Sequence, residues 1–446
     1  MRKKRILLAV LTMTLGVCAL TGCGKTGTPE TDSVEREATA SAADTDGEET
    51  VTTITLLTGT SESLDGLNAV CDLAEEKIGV KVDVQSMTND EQVKTLLVSG
   101  DMCDILAYQS GALLSSLNPS EYFIDLSSDT EIMDRMDDSF VPVVTIDGAV
   151  YGIPKTPSKG GGILYNKKIY EEYNLEVPKT WNQFIENCEI LKDAGETAVI
   201  GSFSDAWSTQ YALLADNGNV LKKDPEFAEK LTTGTDCYSA NEYALRSFEK
   251  LTELTPFYNE DYLATTYSDA CDMLAEENGV HYLGSSAVLT NIYSLYGEEA
   301  VNNIGFFAIP ADEEADTTLT VWMPDGLYGN KNSDKQDAII RFLEFYMSEE
   351  ALDAYTAAVL PDGPYCVKDY ELPEQAYDAV KNDLQAYFDD GKTQPAMEFI
   401  VDIKGVNCPA ICQEAGSGQT TAKEAAEKYD DDCRLQAQQL GYEWAK

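Results

Sequence analysis

The fold is decided by the stretch VTTITLLTGTSESLDGLNAVCDLAEEKIGVKVDV, residues 51–84. Residues 51–57 are rich in β-branched and apolar side chains, which predicts a buried strand. The apolar positions between Leu64 and Leu73 recur at helical spacing, so they predict an amphipathic helix. Residues 80–84 alternate between valine and charged side chains, which predicts a second strand with one buried face.

The pattern continues immediately downstream with a helical run at 90–98 and a further strand at 103–108. The order strand, helix, strand, helix, strand is typical of an α/β protein whose parallel sheet is covered by crossover helices. Ligands bind such sheets beyond the carboxyl ends of the strands. We therefore expect ligand contacts at residues 58–61 and 108–110.

A second unit is predicted after residues 151–154, because strong helices with their own apolar faces follow. Thr180 precedes one of them as an N-cap, with Gln183 three residues later. Trp181 lies at this helix start, so we interpret it as structural. Three core-facing helical sets are predicted, namely Phe184, Ile185, Cys188 and Leu191; Ile339, Phe342, Leu343 and Tyr346; and Ala422, Ala425, Ala426, Tyr429 and Cys433.

The charge of the 446-residue chain excludes whole classes of partner. It carries 78 acidic and 32 basic side chains, a formal net charge of −46. Nucleic acid requires a basic surface, so we expect no nucleic-acid partner. The single histidine, His281, argues against His-ligated zinc and a Ser-His-Asp triad. We expect this histidine to lie on the packed side of a strand, and we expect neither metal nor cofactor.

The N-terminus predicts export. A basic segment, an apolar run at 6–20 and Leu20-Thr21-Gly22-Cys23 resemble a bacterial lipoprotein signal, residues 1–22, with Cys23 as the lipidated residue. A plain secretory signal is the alternative. Residues 24–50 contain no aromatic side chain and predict a disordered tether. Such a protein is held on the extracellular face of the cytoplasmic membrane by its lipid alone, as in Gram-positive bacteria.

Several phrases occur in the order and spacing seen in family 1 extracellular solute-binding proteins, the maltose-binding-protein-like receptors of ABC sugar importers. The phrases are Gly100-Asp101-Met102-Cys103-Asp104-Ile105, Tyr151-Gly152-Ile153-Pro154, Ile163-Leu164-Tyr165-Asn166-Lys167, Pro178-Lys179-Thr180-Trp181, Asn278-Gly279, Gly284-Ser285, Ile304-Gly305-Phe306-Phe307-Ala308-Ile309-Pro310 and Gly418-Gln419-Thr420. The resemblance covers residues 51–446.

This resemblance implies a periplasmic-binding-protein-like fold, with two doubly wound α/β lobes joined by a three-segment hinge around a ligand cleft. It assigns residues 51–155 and 321–360 to the N-terminal lobe, and residues 156–320 and 361–446 to the C-terminal lobe. We interpret Gly160-Gly161-Gly162 as a flexible connection between the lobes.

The resemblance also implies ligand-binding residues. Sugars have apolar ring faces and hydroxyl rims, so their sites need aromatic side chains with hydrogen-bonding groups. The candidates are Tyr108, Tyr165, Trp207, Ser285, Trp322 and Asp325. Each aromatic candidate has a packing alternative, and Pro324-Asp325-Gly326 could be a plain turn. Where relatives carry Gly-x-Trp, this chain has Gly284-Ser285-Ser286, and the equivalent of a second tryptophan near residues 403–405 is also absent.

Cysteine usage adds a constraint. Of 11 cysteines, an odd number remains once Cys18 leaves with the signal and Cys23 is lipidated, so at least one thiol must be free. We expect Cys188 and Cys433 to be small core residues. Cys408 and Cys412 could form a disulfide or part of a metal site.

The sequence thus predicts a monomeric, non-enzymatic binding lipoprotein that captures a carbohydrate, expected to be an oligosaccharide, and delivers it to the permease subunits of an ABC importer. Two alternatives stay open. The same fold could bind a polyamine, a peptide or a chelate, or the chain could be an exported glycosidase, which needs a pair of carboxylates.

Overall fold

A computed structural model of the chain describes residues 51–59, 63–87 and 90–446. The predicted signal, the lipidation residue Cys23 and the tether lie outside the described residues. The described residues belong to one compact unit.

The strands, numbered in chain order, are β1 (Thr52–Thr58), β2 (Val80–Ser86), β3 (Ile105–Tyr108), β4 (Thr145–Ile146), β5 (Ala149–Val150), β6 (Gly152–Pro154), β7 (Lys159–Asn166), β8 (Val199–Ile200), β9 (His281–Ser285), β10 (Ile304–Ala308), β11 (Leu319–Trp322), β12 (Gly326–Gly329) and β13 (Thr393–Pro395). They form two larger sheets, while β4 and β5 pair as a separate hairpin.

The helices of the first half are α1 (Asp65–Ile78), α2 (Asp90–Ser99), α3 (Ala112–Ser115), α4 (Pro119–Tyr122), α5 (Thr130–Arg135), α6 (Val141–Val144), α7 (Lys167–Glu172), α8 (Trp181–Ala194), α9 (Ala206–Thr209), α10 (Tyr211–Leu214), α11 (Asn217–Lys223) and α12 (Phe227–Thr233). Those of the second half are α13 (Glu242–Glu253), α14 (Tyr267–Ala275), α15 (Ala287–Tyr296), α16 (Glu298–Asn302), α17 (Gln336–Tyr346), α18 (Glu349–Ala358), α19 (Gln385–Asp389), α20 (Met397–Ile400), α21 (Cys408–Gly416) and α22 (Ala422–Leu440). A π-helical turn, Ala379–Leu384, precedes α19.

The first sheet has the strand order β2-β1-β3-β12-β6. β1 runs parallel to both β2 and β3, which confirms the predicted parallel sheet. β12 returns antiparallel between β3 and β6. Helix α1 buries the predicted apolar face, including Leu67 and Val70, and ends at Gly79, whose φ of 64° provides the left-handed C-cap.

The second sheet has the order β13-β11-β7-β9-β8, with β10 also paired to β7. The prediction that Gly160–Gly162 form a flexible connection is wrong, because all three glycines lie inside the central strand β7. Close packing explains them. A Cβ at Gly162 would lie 2.4 Å from the Phe307 carbonyl oxygen, so only glycine fits without a shift of the neighbouring strand.

Short connections carry the chain between the sheets. β6 leads to β7 through residues 155–158, and β11 leads to β12 through residues 323–325. The segment near Pro364 lies against the first connection, since Ser158 donates both its backbone N–H and its hydroxyl to the Pro364 carbonyl. β11 extends through Trp322, two residues past the predicted boundary at 320. The lobe boundaries as a whole stay a prediction.

The predicted core helices are confirmed. Thr180 accepts a hydrogen bond from the Gln183 backbone N–H at the start of α8, and Trp181 is buried there. Cys188 and Cys433 are buried as predicted. His281 is fully buried on β9, where its Nδ1 lies 2.6 Å from the Ala198 carbonyl oxygen.

All nine cysteines of the described region are free thiols. Cys408 and Cys412 lie one turn apart on α21 with their sulfur atoms 4.0 Å apart. No group of three or more His, Cys, Asp or Glu side chains suited to a metal ion occurs within residues 51–59, 63–87 and 90–446. In the same ranges no helix is both long and apolar enough to cross a membrane.

Candidate ligand-binding site

The connection between β11 and β12 places side chains of both sheets next to each other. Trp322 is the last residue of β11 in the second sheet, and Asp325 immediately precedes β12 in the first sheet. Tyr108, at the carboxyl end of β3, is the register partner of Gly326. Three of the candidates therefore lie within a few residues of one crossing between the sheets.

Trp322 lies directly on β7. Its register partner is Lys159, and a Cβ added to Gly161 would lie 2.1 Å from the indole ring. Side chains two residues apart on a strand share a face, so Lys159 is on the same face of β7 as the indole. The ring position thus depends on glycine at 161.

The polar edge of Trp322 is held by an ion pair. Its indole N–H donates to Glu398 Oε1 at 2.7 Å, and Lys404 Nζ lies 2.5 Å from the other oxygen of the same carboxylate. Both charged side chains are about one-third exposed. The arrangement offers donors and acceptors beside an aromatic ring, as sugar hydroxyls require.

A row of aromatic rings continues from Trp322. Its centroid lies 5.4 Å from that of Tyr211, which lies 6.2 Å from that of Trp207. Tyr267 packs on the far side of Trp207 at 5.0 Å. The rings are tilted against one another by 50° to 76°, so each ring meets its neighbour at an angle and not as a parallel stack.

Ser285 is attached to this row through Tyr211. It ends β9 opposite Gly161, and its hydroxyl hydrogen-bonds the Tyr211 phenol. Burial raises the pKa of Tyr211, while the Ser285 hydrogen bond and the nearby Lys159 and Lys404 act in the opposite direction. The phenol therefore remains protonated at neutral pH and can serve as a hydrogen-bond donor.

The first sheet contributes the opposite wall. The Ser110 hydroxyl donates to the Pro324 carbonyl at 3.1 Å, which ties the loop after β3 to the crossing. The Asp325 carbonyl accepts the Lys155 backbone N–H at 2.9 Å. Tyr108 is only 3% exposed. Its side chain therefore packs at the base of this wall more than it lines an open surface.

The two walls touch at Gly111. Gly111, after β3, has φ 71°, and a Cβ there would lie 2.2 Å from the Phe399 carbonyl oxygen on α20. Phe399 follows Glu398 and packs on a hydrophobic cluster that contains residues of both sheets, whereas its helix neighbour Met397 is buried in a separate cluster around the second sheet. A cavity of about 540 Å³ flanks this contact and includes Ser115 and Gln394 in its lining.

The structure brings Trp207, Ser285 and Trp322 together through Tyr211, and it places Tyr108 and Asp325 on the facing sheet. Tyr165 is in a different place. It packs 4.4 Å from Tyr170 and 5.5 Å from Phe307 between ring centroids, and burial raises its pKa to about 12. Its position in the core does not support the predicted ligand contact.

Sequence reasoning missed Tyr211, Glu398 and Lys404. One signal for Tyr211 was present, because it follows Trp207 by four residues, the spacing at which helical side chains meet. Glu398 and Lys404 follow β13 and carry no local pattern. Lys404 lies within the segment where the resemblance places a tryptophan that this chain lacks, so a charged side chain occupies this part of the site.

Comparison with known proteins places this geometry in a family. The family model for bacterial extracellular solute-binding proteins matches residues 60–353. A multiple sugar-binding protein of Streptococcus mutans is 24% identical over 249 residues, which cover 54% of this chain and 57% of that protein. The match thus spans a little over half the length of this curated relative.

Solved structures show the same fold. The bacterial solute receptor AcbH, described with an exclusive preference for β-D-galactopyranose, has a TM-score of 0.73 at 17% identity, covering 87% of this chain and 100% of that one. RafE in complex with raffinose has a TM-score of 0.66 at 18% identity, covering 86% and 100%. The predicted two-lobed α/β fold around a cleft is confirmed. The members of the matched family are binding receptors and not enzymes. This chain belongs to the family of bacterial extracellular solute-binding proteins.

Proposed function

We propose that the chain is the carbohydrate receptor of an ABC importer, which captures an oligosaccharide between its two sheets and delivers it to a membrane permease. The observation that carries the proposal is the aromatic row Trp207–Tyr211–Trp322 with the Glu398–Lys404 pair at its end. Aromatic rings cover the apolar faces of pyranose rings, and the ion pair meets their hydroxyl groups.

The crossings between the sheets support a binding cycle without chemistry. Two lobes joined by short connections can close on a ligand, and ligand contacts on both lobes stabilise the closed form. Here Trp322 directly precedes one three-residue connection and Asp325 is its last residue. A ligand that touches both would resist their separation, so binding and closure are coupled.

The local charges favour a sugar over a polyamine. A polyamine site needs carboxylates available for ammonium groups, and the carboxylate that contacts Trp322 is already paired with Lys404. Lys159 adds a second positive charge near Tyr211. The sugar-binding relatives support the same assignment, since their described ligands include raffinose and β-D-galactopyranose.

Calorimetric titration of the purified protein with a panel of mono- and oligosaccharides, spermidine and a short peptide tests the proposal. We expect saturable binding of one or a few related sugars, and chromatography should recover each bound sugar unchanged. Formation of a product from any sugar would contradict a receptor role. Silence toward all sugars together with binding of spermidine would replace the sugar assignment by the polyamine alternative.

We further propose that Cys23 anchors the protein by lipid to the extracellular face of a Gram-positive-type membrane, and that the receptor is a monomer. The lipoprotein signal supports the anchor. Cys23→Ala should shift the protein from the detergent-rich to the aqueous phase on detergent partitioning. An unchanged distribution would argue for a plain secretory signal. Light scattering of the purified protein should give the monomer mass.

A further inference from the structure

The aromatic row has two unlike ends. Trp207 lies at one end and is 43% exposed. Its indole packs against the rings of Tyr211 and Tyr267. Tyr211 and Trp322 are more enclosed, since Tyr211 packs between the two tryptophans and Trp322 lies against Gly161. Trp207 is therefore the most exposed of the three rings.

The other end of the row is blocked. Trp322 contacts Glu398, and the next residue, Phe399, meets Gly111 of the facing sheet. The contact is made by backbone atoms, because the position of a Cβ on Gly111 would be 2.2 Å from the Phe399 carbonyl oxygen. A sugar chain that stacks on Trp322 cannot continue through this point while the two walls touch.

We propose that the site recognises one end of a sugar chain, and that the chain extends from Trp322 toward Trp207. The terminal unit stacks on Trp322 and bonds to Glu398 and Lys404, and the following units pass Tyr211 and Trp207. This inference rests on the proposed sugar function and deepens it by stating which ligands fit: short oligosaccharides bound by a free end, with extension tolerated on one side only.

Truncation of the two tryptophans distinguishes their roles. Binding of galactose, raffinose and stachyose, and of xylose through xylotetraose, is measured by calorimetry for the wild type, Trp207→Ala, Trp322→Ala and the control Trp444→Ala. Trp444 is 37% exposed and donates to the Thr232 carbonyl near the C-terminus, so it matches Trp207 in exposure. Thermal unfolding verifies that each variant is folded.

We expect Trp322→Ala to weaken every sugar that binds, whatever its length. Trp207→Ala should leave the shortest sugar that binds unchanged and weaken the longest by about tenfold, the effect of one lost stacking contact. Trp444→Ala should change none of them. Equal losses at all lengths for Trp207→Ala, or no loss at any length, would overturn the inference while the sugar function stands. If the wild-type protein binds neither the galactose, raffinose and stachyose series nor the xylose series, the sugar function is overturned, and the inference with it.

Discussion

The indole N–H of Trp322 is bonded to the Glu398 carboxylate at 2.7 Å, and this contact joins the last residue of β11 to a helix that follows β13. The carboxylate is shared with Lys404. The indole is thus held at its polar edge by Glu398 and seated against Gly161. This preorganisation lowers the ordering cost that a ligand would otherwise have to meet.

Substitution of Glu398 separates the two contacts of its carboxylate. Glu398→Gln retains an acceptor for the Trp322 N–H and loses the ion pair, which at one-third exposure contributes less than about 1 kcal/mol. Glu398→Ala removes both, and we expect it to weaken sugar binding by a further 1 kcal/mol or so because the indole N–H loses its partner. Calorimetric measurement of the sugar affinity of both variants tests whether Glu398→Ala binds more weakly than Glu398→Gln. Equal effects of the two variants would show that the hydrogen bond to Trp322 does not contribute.

Gly161 is predicted to be required for the Trp322 position. Gly161→Ala places a methyl group 2.1 Å from the indole and 3.1 Å from Ala215, so we expect a loss of about 1–3 kcal/mol in the free energy of unfolding. Trp322→Ala removes the indole with which the new methyl group collides. Adding Gly161→Ala to the Trp322→Ala protein should therefore cost much less free energy of unfolding than adding it to the wild type. Urea unfolding measures both. Additive losses in the double variant would mean that the indole is not the obstacle.

Gly111 is predicted to control closure of the two walls. Gly111→Ala introduces a Cβ against the Phe399 carbonyl, which should hold the walls apart and reduce sugar affinity by about tenfold, since part of the contact between walls and ligand is lost. Gly148→Ala is the matched control. Its φ of 84° is also positive, but nothing lies within 4 Å of its Cβ.

Small-angle scattering in the presence of sugar complements the affinities for these two glycine variants. We expect the Gly111→Ala protein to stay more extended than the wild type and the Gly148→Ala protein to match it. If the two variants bind sugar equally well, the contact at Gly111 has no part in closure.

The only histidine predicts a pH dependence of stability. Burial lowers the pKa of His281 to about 4, below its value of 6.5 in an exposed state. Its Nδ1–H donates to Ala198 and its Nε2 accepts from the Tyr170 hydroxyl, which is the neutral form. The unfolded chain binds this proton more tightly. The contribution of His281 is therefore complete above pH 6.5 and is lost as the pH falls from 6.5 to 4, by up to about 1.4 kcal/mol per unit.

Urea unfolding at pH 7 and pH 5 measures this loss, offset in part by Asp383, because burial raises the pKa of that carboxyl and so favours the folded state as the pH falls. Carboxylates with lowered pKa values, such as Asp104, lose their contribution only below about pH 4, outside this interval. Proton NMR of the single imidazole gives an independent reading. Titration of that resonance near pH 6.5 in the folded protein would contradict the burial of His281.

Local pattern explains what could be predicted from the sequence. The strands and helices between residues 51 and 108 were predictable because apolar positions repeat with a period of 2 or 3.6 within each element. The same holds for α8 and α17, whose buried faces follow directly from spacing. Trp207 and Trp322 were found as cleft candidates through a resemblance that places them in loops and at strand ends.

The remaining features depend on partners far away in sequence. Tyr165 lies in the core, whereas Tyr211 lies in the aromatic row. The pairing of β7 with β10 turns Tyr165 toward Phe307, and this pairing joins residues well over a hundred positions apart. Glu398 belongs to the site only because β13 pairs with β11. The glycines of β7 were misread since glycine permits both flexibility and close packing, and only the neighbouring Phe306 and Trp322 decide between the two.

The most direct measurement is the titration of the best-bound oligosaccharide into the wild type and into Trp322→Ala under identical conditions. Wild-type protein should bind one equivalent of sugar, and Trp322→Ala should bind it more weakly by about 1–3 kcal/mol while its unfolding transition is retained. An unchanged affinity in a folded Trp322→Ala protein would contradict the account, because the ligand would then lie away from the aromatic row on which the proposed function rests.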